Sequence, residues 1–177
     1  MPTLHDEMRR LWTDHVVQTR QYIVSTLAGL PDAPAALARL MKNQDDIGAV
    51  FARCFGLPTG QAVARLLREH IRIAGEVVGA AKALNRPALA VAQGAWRKNS
   101  YDIANALGQT LQTDPQSIYA MLNQHLELTT REATLRLERR WPDDVANFDA
   151  ILNQAMHMAD VLTGGIEAAA ARGACRR

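Results

Sequence analysis

Three histidines, His15, His70 and His125, recur at one constant interval along the chain. Their surroundings repeat as well. They read Leu11-Trp12-Thr13-Asp14-His15-Val16, Leu66-Leu67-Arg68-Glu69-His70-Ile71 and Met121-Leu122-Asn123-Gln124-His125-Leu126. Each is a large apolar pair, two polar residues, the histidine and an aliphatic residue. A neutral imidazole ligates transition metals, and a hydrogen bond to its other ring nitrogen fixes tautomer and orientation. Three such ligands leave a position open for water or substrate. The same residues can instead form a polar layer that fixes helix register, each histidine bonded to an amide or carboxylate nearby. A haem or small-molecule pocket is a third use. The spacing alone leaves all three open.

A second pattern supplies candidate partners. Lys42-Asn43-Gln44-Asp45-Asp46-Ile47 matches Lys98-Asn99-Ser100-Tyr101-Asp102-Ile103 as Lys-Asn-x-x-Asp-Ile, displaced by one step more than the histidine interval. The third counterpart, Leu152-Asn153-Gln154-Ala155-Met156-His157, keeps the asparagine and loses the aspartate, with Asp160 one turn later as a substitute. In an antiparallel hairpin turning near Pro31, Asp46 lies opposite His15, and the same count places Asp102 near His70. The expected metal ligands are therefore His15, His70 and His125. Asn43, Asp46, Asn99 and Asp102 are the expected orienting or cofactor-binding residues. Trp12, one turn before His15, is a candidate wall of the site, although tryptophans at this spacing more often fill a core. The cofactor expected on this reading is a transition metal ion, Zn, Fe, Cu or Mn.

Commoner helical metal motifs do not occur. No Glu-x-x-His or His-Glu-x-x-His is present, and Thr19, Ala74 and Thr129 occupy the positions four after the histidines. Arg20, Glu76, Arg131 and Glu132 lie one to two turns beyond them, where they either extend the polar layer as ion pairs or meet solvent. Met156-His157-Met158 reads as packing rather than a soft-metal box.

These residues must be carried by helices. Of the 177 residues, 48% are hydrophobic and only 5% aromatic, and alanine and leucine dominate the apolar set. Apolar stripes at helical spacing run through Leu4, Met8, Leu11, Trp12, Val16 and Ile23, and again through Val63, Leu67, Ile71 and Val78. The histidines share those stripes and so face inward. Caps are expected at Thr3, Asp32, Asp114 and Asp143, breaks at Gly29, Gly56, Asn85-Arg86-Pro87 and Trp141-Pro142, and an end or bend at Gly164-Gly165. The fold class expected is all-α: an up-and-down bundle of about six helices built from three αα-hairpin repeats of about 55 residues. One domain spans residues 1–168, with repeats 4–58, 59–113 and 114–168, and 169–177 forms a flexible tail.

Charge and cysteine content narrow the partners. Net charge is +2, from 20 basic and 18 acidic residues, which predicts no nucleic-acid partner and no membrane surface. No apolar run approaches the ~20 residues of a membrane span. Two cysteines, Cys54 and Cys175, lie far apart in sequence, so a disulfide scaffold is not expected and cytoplasmic residence is the default. The expected partner is a metal ion or small molecule, and a homo-oligomer is compatible with the composition.

The set Leu11-Trp12-x-x-His15-x-x-x-Thr19-Arg20, Lys42-Asn43-x-x-Asp46-Ile47, Leu67-x-x-His70, Trp96-x-x-Asn99 and Met121-Leu122-x-x-His125-Leu126-x-Leu128-Thr129-x-x-Glu132 resembles a family of small all-helical bacterial proteins. The resemblance spans nearly the whole chain. It implies a bacterial helical fold and no particular activity. The label glycosyltransferase that members sometimes carry finds no support here, since the chain has neither a glycine-rich phosphate loop nor a βαβ pattern. The reading that results is a cytoplasmic bundle binding a metal ion or small ligand through a central histidine layer. Its alternatives are a structural or interaction bundle with a register layer, and a metal-dependent enzyme.

Overall fold

A computed structural model describes residues 2–175. Six helices follow in order: α1 (Leu4–Ala28), α2 (Ala33–Phe55), α3 (Leu57–Lys82), α4 (Arg86–Leu111), α5 (Pro115–Leu137) and α6 (Trp141–Ala171). No strand occurs among the described residues. The fold is an all-α bundle.

Local sequence explains most of the boundaries. Thr3 and Asp6 form a capping box, each side chain taking the other's backbone N–H. Gly29 closes α1 with φ of 70°, a left-handed turn that glycine adopts without a Cβ penalty. Asn85 and Asp114 cap α4 and α5 through their side chains. Three expectations need correction. Asp32 makes no capping bond, and its carboxylate accepts instead from Gln21 Nε2 at 3.0 Å. Asp143 lies inside the first turn of α6, paired with Arg140, whose backbone opens the helix without a side-chain cap. Gly164-Gly165 does not end α6, which runs on to Ala171. A Cβ on Gly165 would meet Leu111 Cδ1 at 2.9 Å, so this glycine serves close packing.

The tail expected at 169–177 is also shorter. Ala174 N–H returns to the Ala169 carbonyl, and Cys175 is disulfide-bonded to Cys54 across 121 positions. Arg176 and Arg177 lie outside the described residues. The cysteines, from which no disulfide scaffold is expected, are paired where α6, continuing past its glycines, brings Cys175 beside the end of α2.

Each helix packs on its neighbours in sequence, and α6 closes the ring on α1. Arg9–Asp160 and Arg20–Asp144 show α1 and α6 antiparallel, whereas His15–His125 and Arg20–Glu132 advance together and show α1 and α5 parallel. Lys82 Nζ donates to the Thr26 carbonyl, which brings the ends of α3 and α1 to the same end of the bundle. The odd-numbered helices touch one another across the interior. The main core, with Met8, Leu11, Ile47, Phe51, Leu107 and Ile151, fills the half towards the start of these helices. Two smaller clusters, around Ile73, Val77 and Trp96 and around Ile23 and Val78, fill the other half. Each large side chain fully buried in this way contributes about 1.5–3 kcal/mol. Between the two halves lies the level of the histidines.

Candidate functional site: the histidine–amide layer

His15, His70 and His125 are buried, with 2%, 4% and 3% of their surface exposed. They come from the three parallel odd-numbered helices. The rings of His15 and His125 have centroids 5.6 Å apart. Trp12 packs on His15 at 5.3 Å and Trp96 on His70 at 5.2 Å. Both indoles belong to the core, and Trp12 does adjoin the layer.

Every imidazole is held by a carboxamide of the next helix, at the same sequence distance in each hairpin. His70 Nδ1 lies 2.7 Å from Asn99 Oδ1, His125 Nδ1 3.1 Å from Gln154 Oε1, and His15 Nδ1 3.2 Å from Gln44 Nε2. The amides are anchored in turn. Asn99 Nδ2 donates to the Leu66 carbonyl and Gln154 Nε2 to the Met121 carbonyl. Those carbonyls belong to the residues four before His70 and His125. The side-chain amide therefore binds the imidazole with one arm and the backbone of the same helix turn with the other. In the first hairpin two residues share these roles. Asn43 Nδ2 donates to the Leu11 carbonyl, and Gln44 reaches His15.

This bonding assigns the tautomers of His70 and His125. An amide oxygen only accepts, so Nδ1 donates in both and Nε2 keeps a lone pair. Gln44 differs. Its Nε2 faces the Leu40 carbonyl, Asn43 Oδ1 and His15 Nδ1, three contacts for the two N–H bonds of a carboxamide, so this contact assigns no tautomer to His15. Gln44 Oε1 is left buried without a partner.

Burial keeps these rings neutral. It pushes the His70 value down to about 3, with His125 nearby adding to the effect. His125 falls to about 4 for the same reason, against the opposing pull of its bond to Gln154. His15 is held well below the ordinary range by burial first, then by His125 and His70. Taking an imidazolium out of water is costly, and no carboxylate in the layer compensates it.

The aspartates expected to face the histidines do not. Asp46 pairs with Lys42 and Asp102 with Lys98, both as exposed i,i+4 pairs on the outer surface. Of the four expected orienting residues, Asn43 and Asn99 stand in the layer, and Asp46 and Asp102 stand outside it. Gln44 and Gln154 were not among the expected partners. The signal that finds them is the histidines' own interval applied to amides, since Gln44, Asn99 and Gln154 obey it. In the third hairpin Gln154, rather than Asn153 or Asp160, is the partner. Asp160 instead binds Arg9 and His5 at the surface. Among the described residues no group of three or more His, Cys, Asp or Glu side chains is placed to hold a metal ion.

A second polar cluster lies one to two turns further along. Arg20 bonds Glu132 at 2.5 Å and Asp144 at 3.0 and 2.8 Å, and Arg136 reaches Asp144 at 2.7 Å. Both carboxylate residues are 1% exposed. Arg20 also lies over the Phe148 ring at 4.7 Å. Burial raises Glu132 to about 7, against the pull of Arg20. Of the other residues one to two turns past the histidines, Glu76 pairs with Arg72 at the surface, and Arg131 is exposed.

Comparison with known proteins gives no match: no family model, no curated protein and no solved structure matches the chain. The site is therefore interpreted on its own geometry.

Proposed function

We propose that the histidine layer is a register device, and that the chain is a structural or interaction bundle whose six helices it locks at one height. The amide clamp carries this reading. Asn99 and Gln154 each bridge an imidazole and the carbonyl four residues before it, and Asn43 and Gln44 divide that work at His15, so any slip of one helix against the next leaves buried polar atoms unpaired. The recurrence of this clamp supports an origin by duplication of one hairpin.

Metal binding through the layer is the competing reading, favoured by the neutral rings and by the Nε2 lone pairs of His70 and His125. Location remains a proposal as well. No described helix is long and apolar enough to cross a membrane. The Cys54–Cys175 bond argues against a reducing compartment, and hence against the cytoplasmic residence that composition suggested.

Elemental analysis and thermal melts with and without Zn(II) decide between the two uses. The register reading expects no stoichiometric metal and an unchanged melting temperature on adding zinc, with His70→Ala lowering it in either case. One equivalent of bound metal, with a zinc-induced rise that His70→Ala abolishes, would overturn it.

A further inference from the structure

A cleft lies between α4 and α5, away from the histidines' amide partners. Its volume is about 700 Å³, within the usual range for a small-ligand site. Its floor is Trp96, 3% exposed, and the buried Leu126. Trp96 is fixed from behind by its packing on His70, so the floor is rigid.

Two polar atoms at this cleft are buried without a partner: the indole Nε1 of Trp96 and Oδ1 of Asn123. Buried polar groups are nearly always hydrogen-bonded, and leaving one unpaired costs about 1–3 kcal/mol. A donor and an acceptor left unpaired in one cleft point to an occupant that supplies the complementary groups. The walls add charge. Arg97 from α4 and Arg131 from α5 line the cleft, and neither forms an ion pair among the described residues. Glu127 is a lining carboxylate likewise unengaged among the described residues. Glu138 and Arg140 at the rim pair with each other. The unengaged charge is thus two guanidinium groups against one carboxylate.

We propose that the α4–α5 cleft binds a small organic anion with a flat apolar body, its carboxylate or phosphate held by Arg97 and Arg131. The flat body lies on Trp96 and Leu126. An acceptor on the ligand takes the indole N–H, and a donor meets Asn123 Oδ1. Guanidinium groups suit both anions, since their planar fork matches carboxylate and phosphate oxygens alike. This site is independent of whether the histidine layer is structural.

The test uses the full chain and 1-anilinonaphthalene-8-sulfonate, an aromatic anion of suitable size whose fluorescence reports binding. One saturable site is expected. The double variant Arg97→Gln, Arg131→Gln should weaken binding by about tenfold or more, because two charge-assisted contacts are lost. Its melting temperature should not change, since both side chains are exposed. The neutral analogue N-phenyl-1-naphthylamine should bind about tenfold more weakly than the sulfonate. Displacement of the probe by benzoate or by phenyl phosphate then tells which anion the cleft prefers. Overturning results are no saturable binding, equal affinity in the double variant, equal affinity for the neutral analogue, or displacement by neither anion.

Discussion

Acidification should destabilise this protein through its histidine layer. In the folded state His70 and His125 titrate near about 3 and about 4, and His15 also lies well below its ordinary value. In the unfolded chain all three return to about 6.5. Their folded values are depressed, so the stability tied to their neutral forms is fully present above about pH 6.5 and is lost as pH falls below it. Between about pH 7 and about pH 5 the cost depends almost wholly on the unfolded chain, because the folded rings stay unprotonated throughout. His70 and His125 then each cost about 2 kcal/mol, about 4 kcal/mol together, and His15 acts in the same direction. Glu132 acts in the opposite sense. Its folded value is raised to about 7, so its neutral form is favoured in the fold and acidification over the same range returns about 2 kcal/mol. The net loss from these three groups is about 2 kcal/mol, to which His15 adds, against a typical stability of about 5–15 kcal/mol. Urea unfolding curves at the two pH values measure it directly. In His70→Gln, which cannot titrate at that position, the difference should shrink by about 2 kcal/mol. A pH dependence unchanged in that variant would refute the assignment of the buried rings as neutral.

Three further outcomes follow from the same geometry. His70→Ala and His125→Ala should each cost about 1–3 kcal/mol from the stranded amide alone, and to a similar extent, because Asn99 and Gln154 make the same two bonds; thermal melts compare them. Asp46→Asn and Asp102→Asn should change stability by no more than about 0.5 kcal/mol, since each removes only an exposed i,i+4 pair, and a larger loss in urea curves would contradict their outward placement. Cys54→Ser, or reduction of the parent protein, should lower the melting temperature and speed proteolysis near the end of α6, because the crosslink ties the last described residue to the end of α2.

Much of this arrangement can be read from spacing. The stripes that carry Leu11, Leu67 and Leu122 define helices and put each histidine inward, because a residue four from one core position and three from the next shares its face. The partners are harder to read. The recurrence of Lys-Asn-x-x-Asp-Ile is set by its exposed Lys42–Asp46 and Lys98–Asp102 pairs, one position out of step with the histidines. One position is about 100° around a helix, enough to carry a carboxylate from the interior to the surface. Aligning on that motif selects Asn43 and the aspartates and passes over Gln44 and Gln154. The split of one amide's work between Asn43 and Gln44 is a tertiary fact, visible only when Leu11 and His15 are seen together. The Cys54–Cys175 bond hides for a different reason. Gly164-Gly165 looks like a helix end by propensity, yet α6 runs on to Ala171 with Gly165 packed closely on Leu111, and so delivers Cys175. The cleft between α4 and α5 has no sequence signature, since Trp96 and Leu126 are ordinary stripe residues and Arg97 and Arg131 ordinary surface ones.

The most direct test of the histidine layer is nitrogen-15 NMR of the imidazole rings at about pH 7, where the two ring nitrogens report protonation and tautomer separately. The structure predicts three neutral rings, with His70 and His125 protonated on Nδ1, and no change when one equivalent of Zn(II) is added. An imidazolium at any of the three, or a zinc-induced shift of all three Nε2 signals together, would contradict a register layer and assign the histidines to a metal.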